Sequence, residues 1–169
     1  TSSTVTLNGG TANGVAYLDG SKVLTTGSAL TFDGTNLGIG VTPSAWSSHK
    51  VLQIGAWASF GSWLGNLNAQ IMNNAYWDGS AYKYIGSSYA SYYSQNNGTH
   101  TWDNAPSGTA GNPVSFTRAM TLDASGNLGI GTSSPGYKLD VNGTARISGN
   151  IVSGSSIAIA DTASSISIG

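Results

Sequence analysis

By residue type, Asp78, Asp103 and His100 are the side chains best suited to moving a proton in this sequence. A pair of carboxylates flanking a sugar bond, one acting as acid and the other as base or nucleophile, is what glycoside hydrolysis requires. Their neighbours point elsewhere. Asp78 stands in Asp-Gly and Asp103 in Asp-Asn, both of which are turn chemistry, so no catalytic residue is assigned. His49 and His100 lie far apart with no third ligand at motif spacing, and the sequence assigns no metal ligand and no cofactor. Asp19, Asp33 and Asp123 recur at turns and read as structural, although loops of this kind also suit calcium. Gly38-Ile39-Gly40 lacks the third glycine and the helix of a dinucleotide loop.

Binding chemistry is better represented than catalysis. From Trp57 to Phe116 the chain concentrates aromatic residues among Asn, Ser, Gln and Asp, with few formal charges. Aromatic faces stack on the C–H faces of sugars while amides and hydroxyls bond sugar hydroxyls; Tyr and Trp also anchor protein interfaces. The candidate ligand-binding residues are Tyr76, Trp77, Tyr82, Tyr84, Tyr89, Tyr92, Tyr93 and Trp102. Tyr82 and Tyr84 alternate in a strand and share a face. Tyr89, Tyr92 and Tyr93, beside Ser and Asn, are expected at the surface. The competing role for any one of them is as core of a small β-domain.

Composition limits what can position such a surface. The 169 residues include 24 glycines, 8% charged residues and no glutamate, a mixture poor in helix formers and rich in turn formers. An all-β protein of short strands follows. Six cations scattered along the chain give no basis for a nucleic-acid partner. No run of about 20 apolar residues provides a membrane-inserting helix. Without cysteine there are no disulfides. A formal charge of -1 leaves little repulsion between copies, which suits an obligate oligomer. Thr1 follows no methionine or signal pattern and reads as the start of a fragment or processed product.

Two copies of one motif bracket the aromatic stretch. Leu30-Thr31-Phe32-Asp33-Gly34-Thr35-Asn36-Leu37-Gly38-Ile39-Gly40 precedes it, and Met120-Thr121-Leu122-Asp123-Ala124-Ser125-Gly126-Asn127-Leu128-Gly129-Ile130-Gly131 follows it. Leu37, Ile39 and Val41 alternate with glycine, as do Leu128 and Ile130, giving strands with one bulky face and one bare face. Glycine in a strand permits close approach of another backbone, and crowding of three chains about a threefold axis would demand it. A hairpin is expected over Tyr17 to Leu24, turning at Asp19-Gly20. Further strands are expected at 4–7, 22–25, 51–55, 137–143, 145–152, 156–160 and 165–168, the last ones pairing with sister chains. The domain division is residues 1–55 and 120–169 as stem and 56–119 as an aromatic-rich, β-sandwich-like head.

These residues carry a resemblance. Asn127-Leu128-Gly129-Ile130-Gly131-Thr132-Ser133-Ser134-Pro135 followed by Tyr137-Lys138-Leu139-Asp140-Val141-Asn142-Gly143-Thr144 resembles the segment that recurs in bacteriophage tail fibres and tailspikes, commonly before a C-terminal intramolecular chaperone. Val15 to Lys22, Leu30 to Leu37, Asn74 to Ser80, His100 to Trp102 and Ala105 to Asn112 are similar to stretches of the same proteins. The resemblance implies an elongated, interwound homotrimeric β fibre in the virion. It further implies contact with other tail proteins and with a host cell-surface glycan or outer-membrane receptor. A polysaccharide depolymerase fragment and a purely structural spacer are the alternatives.

Overall fold

The alternation of apolar residues with small polar ones is resolved as strands, and no helix occurs among the described residues. In the computed structural model the described residues are 6, 8–65, 68–151 and 154. Their strands are β1 (Gly14–Leu18), β2 (Leu24–Phe32), β3 (Leu37–Ile39), β4 (His49–Ile54), β5 (Ala58–Trp63), β6 (Asn68–Asn73) and β7 (Ala75–Trp77). There follow β8 (Tyr82–Tyr84), β9 (Ala90–Asn96), β10 (Thr99–Ala105), β11 (Thr117–Leu122), β12 (Leu128–Ile130) and β13 (Leu139–Val141). Eleven of them form one mixed sheet in chain order, from which only β7 and β8 are left out. That pair forms a hairpin in the 16-residue connection between neighbouring strands β6 and β9, and it packs on one face of the sheet.

The expected sandwich is therefore very unequal, a broad sheet under a layer of two three-residue strands and loops. Backbone pairing also runs through both expected domain boundaries. The β4–β5 ladder extends from His49 opposite Trp63 to Ile54 opposite Ala58, across the first boundary, and β11 spans the second.

The bracketing motifs fold alike. Leu30, Thr31 and Phe32 pair antiparallel with Ile39, Gly38 and Leu37, whose other edge pairs parallel with Leu52 to Ile54. Met120, Thr121 and Leu122 pair likewise with Ile130, Gly129 and Leu128, whose other edge meets Leu139 to Val141 in parallel. Each tight turn between the antiparallel strands is capped by an aspartate. Asp33 Oδ1 accepts the N–H groups of Thr35 and Asn36 at 2.8 and 2.7 Å, and Asp123 Oδ1 accepts those of Ser125 and Asn127 at 2.9 and 2.8 Å.

Gly38 and Gly129 are required within the single chain. A Cβ on Gly38 would collide with the Val41 carbonyl, Thr31 Oγ1 and Pro43, and one on Gly129 would meet Thr132 at 2.9 Å. The chain leaving each strand folds back over the bare face, and only glycine leaves room for it.

Elsewhere the structure departs from sequence expectation in particular places. The first hairpin forms with Leu18 opposite Leu24, but its left-handed residue is Lys22 rather than Gly20. Asp19 explains the shift, because its Oδ1 accepts the Ser21 and Val23 N–H groups at 2.9 Å and so sets the turn. The strand expected over 22–25 begins at Leu24, and residues 145–151 form no strand. The strands expected at 156–160 and 165–168, and nearly all of 4–7, lie outside the described residues.

Candidate functional site

Seven of the eight candidate aromatics fall in two places, while Tyr89 lies exposed in the loop before β9. Tyr76, Trp77, Tyr82, Tyr84 and Tyr92 belong to the layer between the β7–β8 hairpin and the sheet, packed with Trp46, Val51, Met72, Val114 and Phe116. Tyr82 lies 5.7 Å from Tyr92 and 5.6 Å from Phe116, centroid to centroid. Burial, reinforced by the neighbouring Tyr92, pushes the Tyr82 phenol well above its ordinary range. Tyr84 is buried and its hydroxyl donates to the Pro106 carbonyl at 2.6 Å, so its ring has no ligand-facing surface. Tyr92 follows it inward, contrary to the expected exposure. Consecutive strand residues take opposite faces, so Tyr92 and Tyr93 cannot share one.

Tyr93 and Trp102 occupy the other face, directly opposite each other on β9 and β10 with centroids 5.1 Å apart. His100 flanks them, its Nδ1 2.7 Å from the Tyr93 hydroxyl. A shallow cavity of about 340 Å³ adjoins this pair, lined also by Ile71, Asn73, Ser91 and Asn104.

On this face, the cross-strand register builds a line of large side chains across ten strands. Phe32 pairs with Leu37, Leu37 with Leu52, Leu52 with Phe60 and Phe60 with Ile71. Ile71 pairs with Tyr93, Tyr93 with Trp102, Trp102 with Met120, Met120 with Ile130 and Ile130 with Val141. Among the described residues, no element of the second layer covers them, and Phe60 and Ile71 are 55% and 52% exposed. Leu30, Ile39 and Ile54 extend the apolar surface on one side of the line, and Leu122, Leu128 and Leu139 on the other. Among the described strand residues of this face, Lys50 alone carries a formal charge.

The inner face of the same sheet is mixed by contrast, with Gln53, Ser59, Gln70, Ser94, Thr101 and Thr121 buried beside the apolar Val51, Met72, Ala90 and Ala105. The bulkier side chains of these strands lie mostly on the outer face. The Gln53 amide oxygen accepts the Ser44 N–H at 2.8 Å and the Trp46 indole N–H at 3.2 Å, drawing the β3–β4 loop over this face. Ser94 and Thr101 instead pair with each other across β9 and β10, hydroxyl to hydroxyl at 2.8 Å.

The two aspartates weighed for catalysis are both engaged structurally. Asp78 caps the β7–β8 turn, its Oδ1 accepting from Ser80 N, Ser80 Oγ and Ala81 N at 2.8 to 2.9 Å, with Lys83 3.7 Å from its other oxygen. Asp103 was expected in a turn but lies buried within β10, where Arg118 Nε reaches its Oδ1 at 2.6 Å. A register shift between Trp102 and Asp103 brings Arg118 opposite. Nothing in the sequence around either residue announces this pairing. Among the described residues, no three His or Asp side chains gather as a metal site would need.

Capping gives the fold an acid-labile component. N–H bonds from Ala81 and Ser80, with help from the Ser80 hydroxyl and Lys83, hold the Asp78 carboxyl at about 2 against an ordinary 3.8. For Asp33, burial acts upward but the Asn36 and Thr35 N–H groups outweigh it, and for Asp123 the Asn127 N–H leads a net lowering. A carboxylate whose value is depressed in the folded state stabilises above its unfolded value and loses that contribution as pH falls through the folded one. Melting temperature should therefore be level down to about pH 5 and fall between about pH 4 and 2. Calorimetry across that range checks it, with Asp78→Asn expected to shallow the fall.

Asn74, absent from the sequence candidates, organises the end of the sheet where β6 passes into β7. It is buried in the left-handed conformation, with φ 58°. Its backbone N–H donates to the Trp57 carbonyl at 2.7 Å, its Nδ2 donates to the Gly86 and Tyr89 carbonyls at 3.0 and 2.9 Å, and its Oδ1 accepts the Gly86 N–H at 2.7 Å. One residue thus ties the β4–β5 turn, through its backbone, to the loop after β8, through its side chain. Asn-Asn before an aromatic strand was the only available signal, and it suggests a turn without revealing its partners.

Comparison with known proteins adds no relative: no family model matches this chain, and no curated protein does.

Proposed function

We propose that this chain is a segment of a bacteriophage tail fibre, assembled as a homotrimer in the virion, that binds a receptor on the host cell surface without degrading it. The observation that carries this reading is the uncovered apolar line across ten strands, from Phe32 to Val141. At about 4.8 Å between strands and some 15 Å along them, the face covers roughly 700 Å², close to the ~800 Å² that each partner contributes to a stable interface. Sister chains suit it because a surface with almost no charge meets its own copy without repulsion. The sequence resemblance supplies the threefold arrangement and the fibre.

In this arrangement Tyr93 and Trp102 are subunit contacts, and receptor binding falls to aromatic residues on the opposite side. Three copies of a weak site act together through avidity. Fluorescently labelled protein should bind saturably to some strains in a panel of bacteria, without release of reducing ends from their surface polysaccharides. Absence of binding across the panel would contradict the receptor role, and released reducing ends would favour the depolymerase.

A further inference from the structure

Trp57 and Tyr89 are large aromatic residues whose backbone the fold holds in place and whose side chains it leaves open. Trp57 is 47% and Tyr89 70% exposed. Both sit at one end of the sheet, and both of their carbonyls are bonded by Asn74. The six-membered ring of Trp57 lies against Gly86, where any Cβ would strike it, so the indole is seated on the 85–89 loop rather than swinging free. That loop is secured further, since Ala110 N–H donates to Ser87 Oγ at 3.1 Å and Gly108 N–H to the Ser88 carbonyl at 3.1 Å.

From this geometry we propose that Trp57 and Tyr89 form a rigid platform for a neutral pyranose unit of a surface polysaccharide, resting on the receptor-binding reading above. An apolar core role is excluded by the exposure of both rings. The side of the sheet is the right one, because Trp57 packs toward the hairpin layer and away from the apolar line. Neither the 55–57 turn nor the 85–89 loop carries a formal charge, which matches a neutral sugar better than an acidic one. Sugar C–H faces stack on indole and phenol rings, while the Ser87 and Ser88 hydroxyls stand in the same loop as hydrogen-bonding groups. Because Asn74 fixes both segments before binding, little ordering entropy is lost when the sugar arrives. Asn74 is a positioning residue, one step removed from the ligand.

The test is an array of neutral oligosaccharides ending in galactose, glucose or N-acetylglucosamine, read with the full chain and with Trp57→Ala, Tyr89→Ala and the double variant. Tyr137→Ala, which removes an aromatic that is 76% exposed elsewhere, serves as the control. Each platform variant should weaken binding about tenfold or more, with Tyr137→Ala unchanged and all variants melting near the parent temperature. Trp57→Phe, which keeps an aromatic face, should recover part of the loss. Sugar binding undiminished in the double variant overturns the platform while leaving the receptor role standing. Binding to cells through a surface protein, with no sugar on the array retained, overturns the glycan assignment, and no binding to cells or sugars overturns both readings.

Discussion

Replacing Phe60 and Ile71 together with aspartate should convert the proposed trimer into a 17.1 kDa monomer while its far-ultraviolet β signal survives. The two residues face each other across β5 and β6 at the middle of the apolar line, each about half exposed in the single chain. Full burial of such a side chain contributes about 1.5–3 kcal/mol, and half of it remains to be gained on assembly. Over six side chains in a trimer this amounts to about 5–9 kcal/mol, before the cost of placing carboxylates in an apolar contact. Within the monomer the same positions face water, so the substitutions should cost each chain no more than about 1 kcal/mol apiece. Analytical ultracentrifugation of parent and variant separates the two effects. Assembly unchanged in the variant would remove this face from the interface.

The second large effect is expected at Asn74. Asn74→Ala removes three side-chain hydrogen bonds and strands the Gly86 N–H with the Gly86 and Tyr89 carbonyls, while asking alanine to adopt φ 58°. Unpaired buried groups cost about 1–3 kcal/mol each, and left-handed backbone adds about 1 kcal/mol, so a net loss of about 3–5 kcal/mol is expected after partial relaxation. Urea unfolding should show it as a lower midpoint. Asn74→Gly tolerates the backbone angle but not the lost bonds, and should fall about 1 kcal/mol short of the alanine loss. A variant within 1 kcal/mol of the parent would show that other contacts hold the 85–89 loop.

Much of the β architecture was legible because strand and turn chemistry are local. Alternation at Leu37-Gly38-Ile39 and Leu128-Gly129-Ile130 identified β3 and β12, and the Asp33 and Asp123 turns follow from residues that bond their own backbone. What the alternation could not say is which face meets water. Leu37 and Ile39 would form the core of an ordinary domain, yet they lie on the uncovered face while Gly38 and Thr31 are buried. The candidate site was less legible for the same reason. A list of aromatics does not reveal that Tyr84 and Tyr92 turn inward, that Tyr93 and Trp102 turn to the apolar face, or that Asn74 links Trp57 to Tyr89 across 15 or more residues. Asp103 and Arg118 meet through a register shift, which depends on the whole ladder rather than on either segment.

Everything proposed for assembly and receptor contact rests on the apolar face being covered by sister chains. The mass in solution, measured by static light scattering over a hundredfold range of concentration, tests that most directly. A constant species at three times 17.1 kDa is expected. A well-folded monomer of 17.1 kDa at every concentration would contradict it.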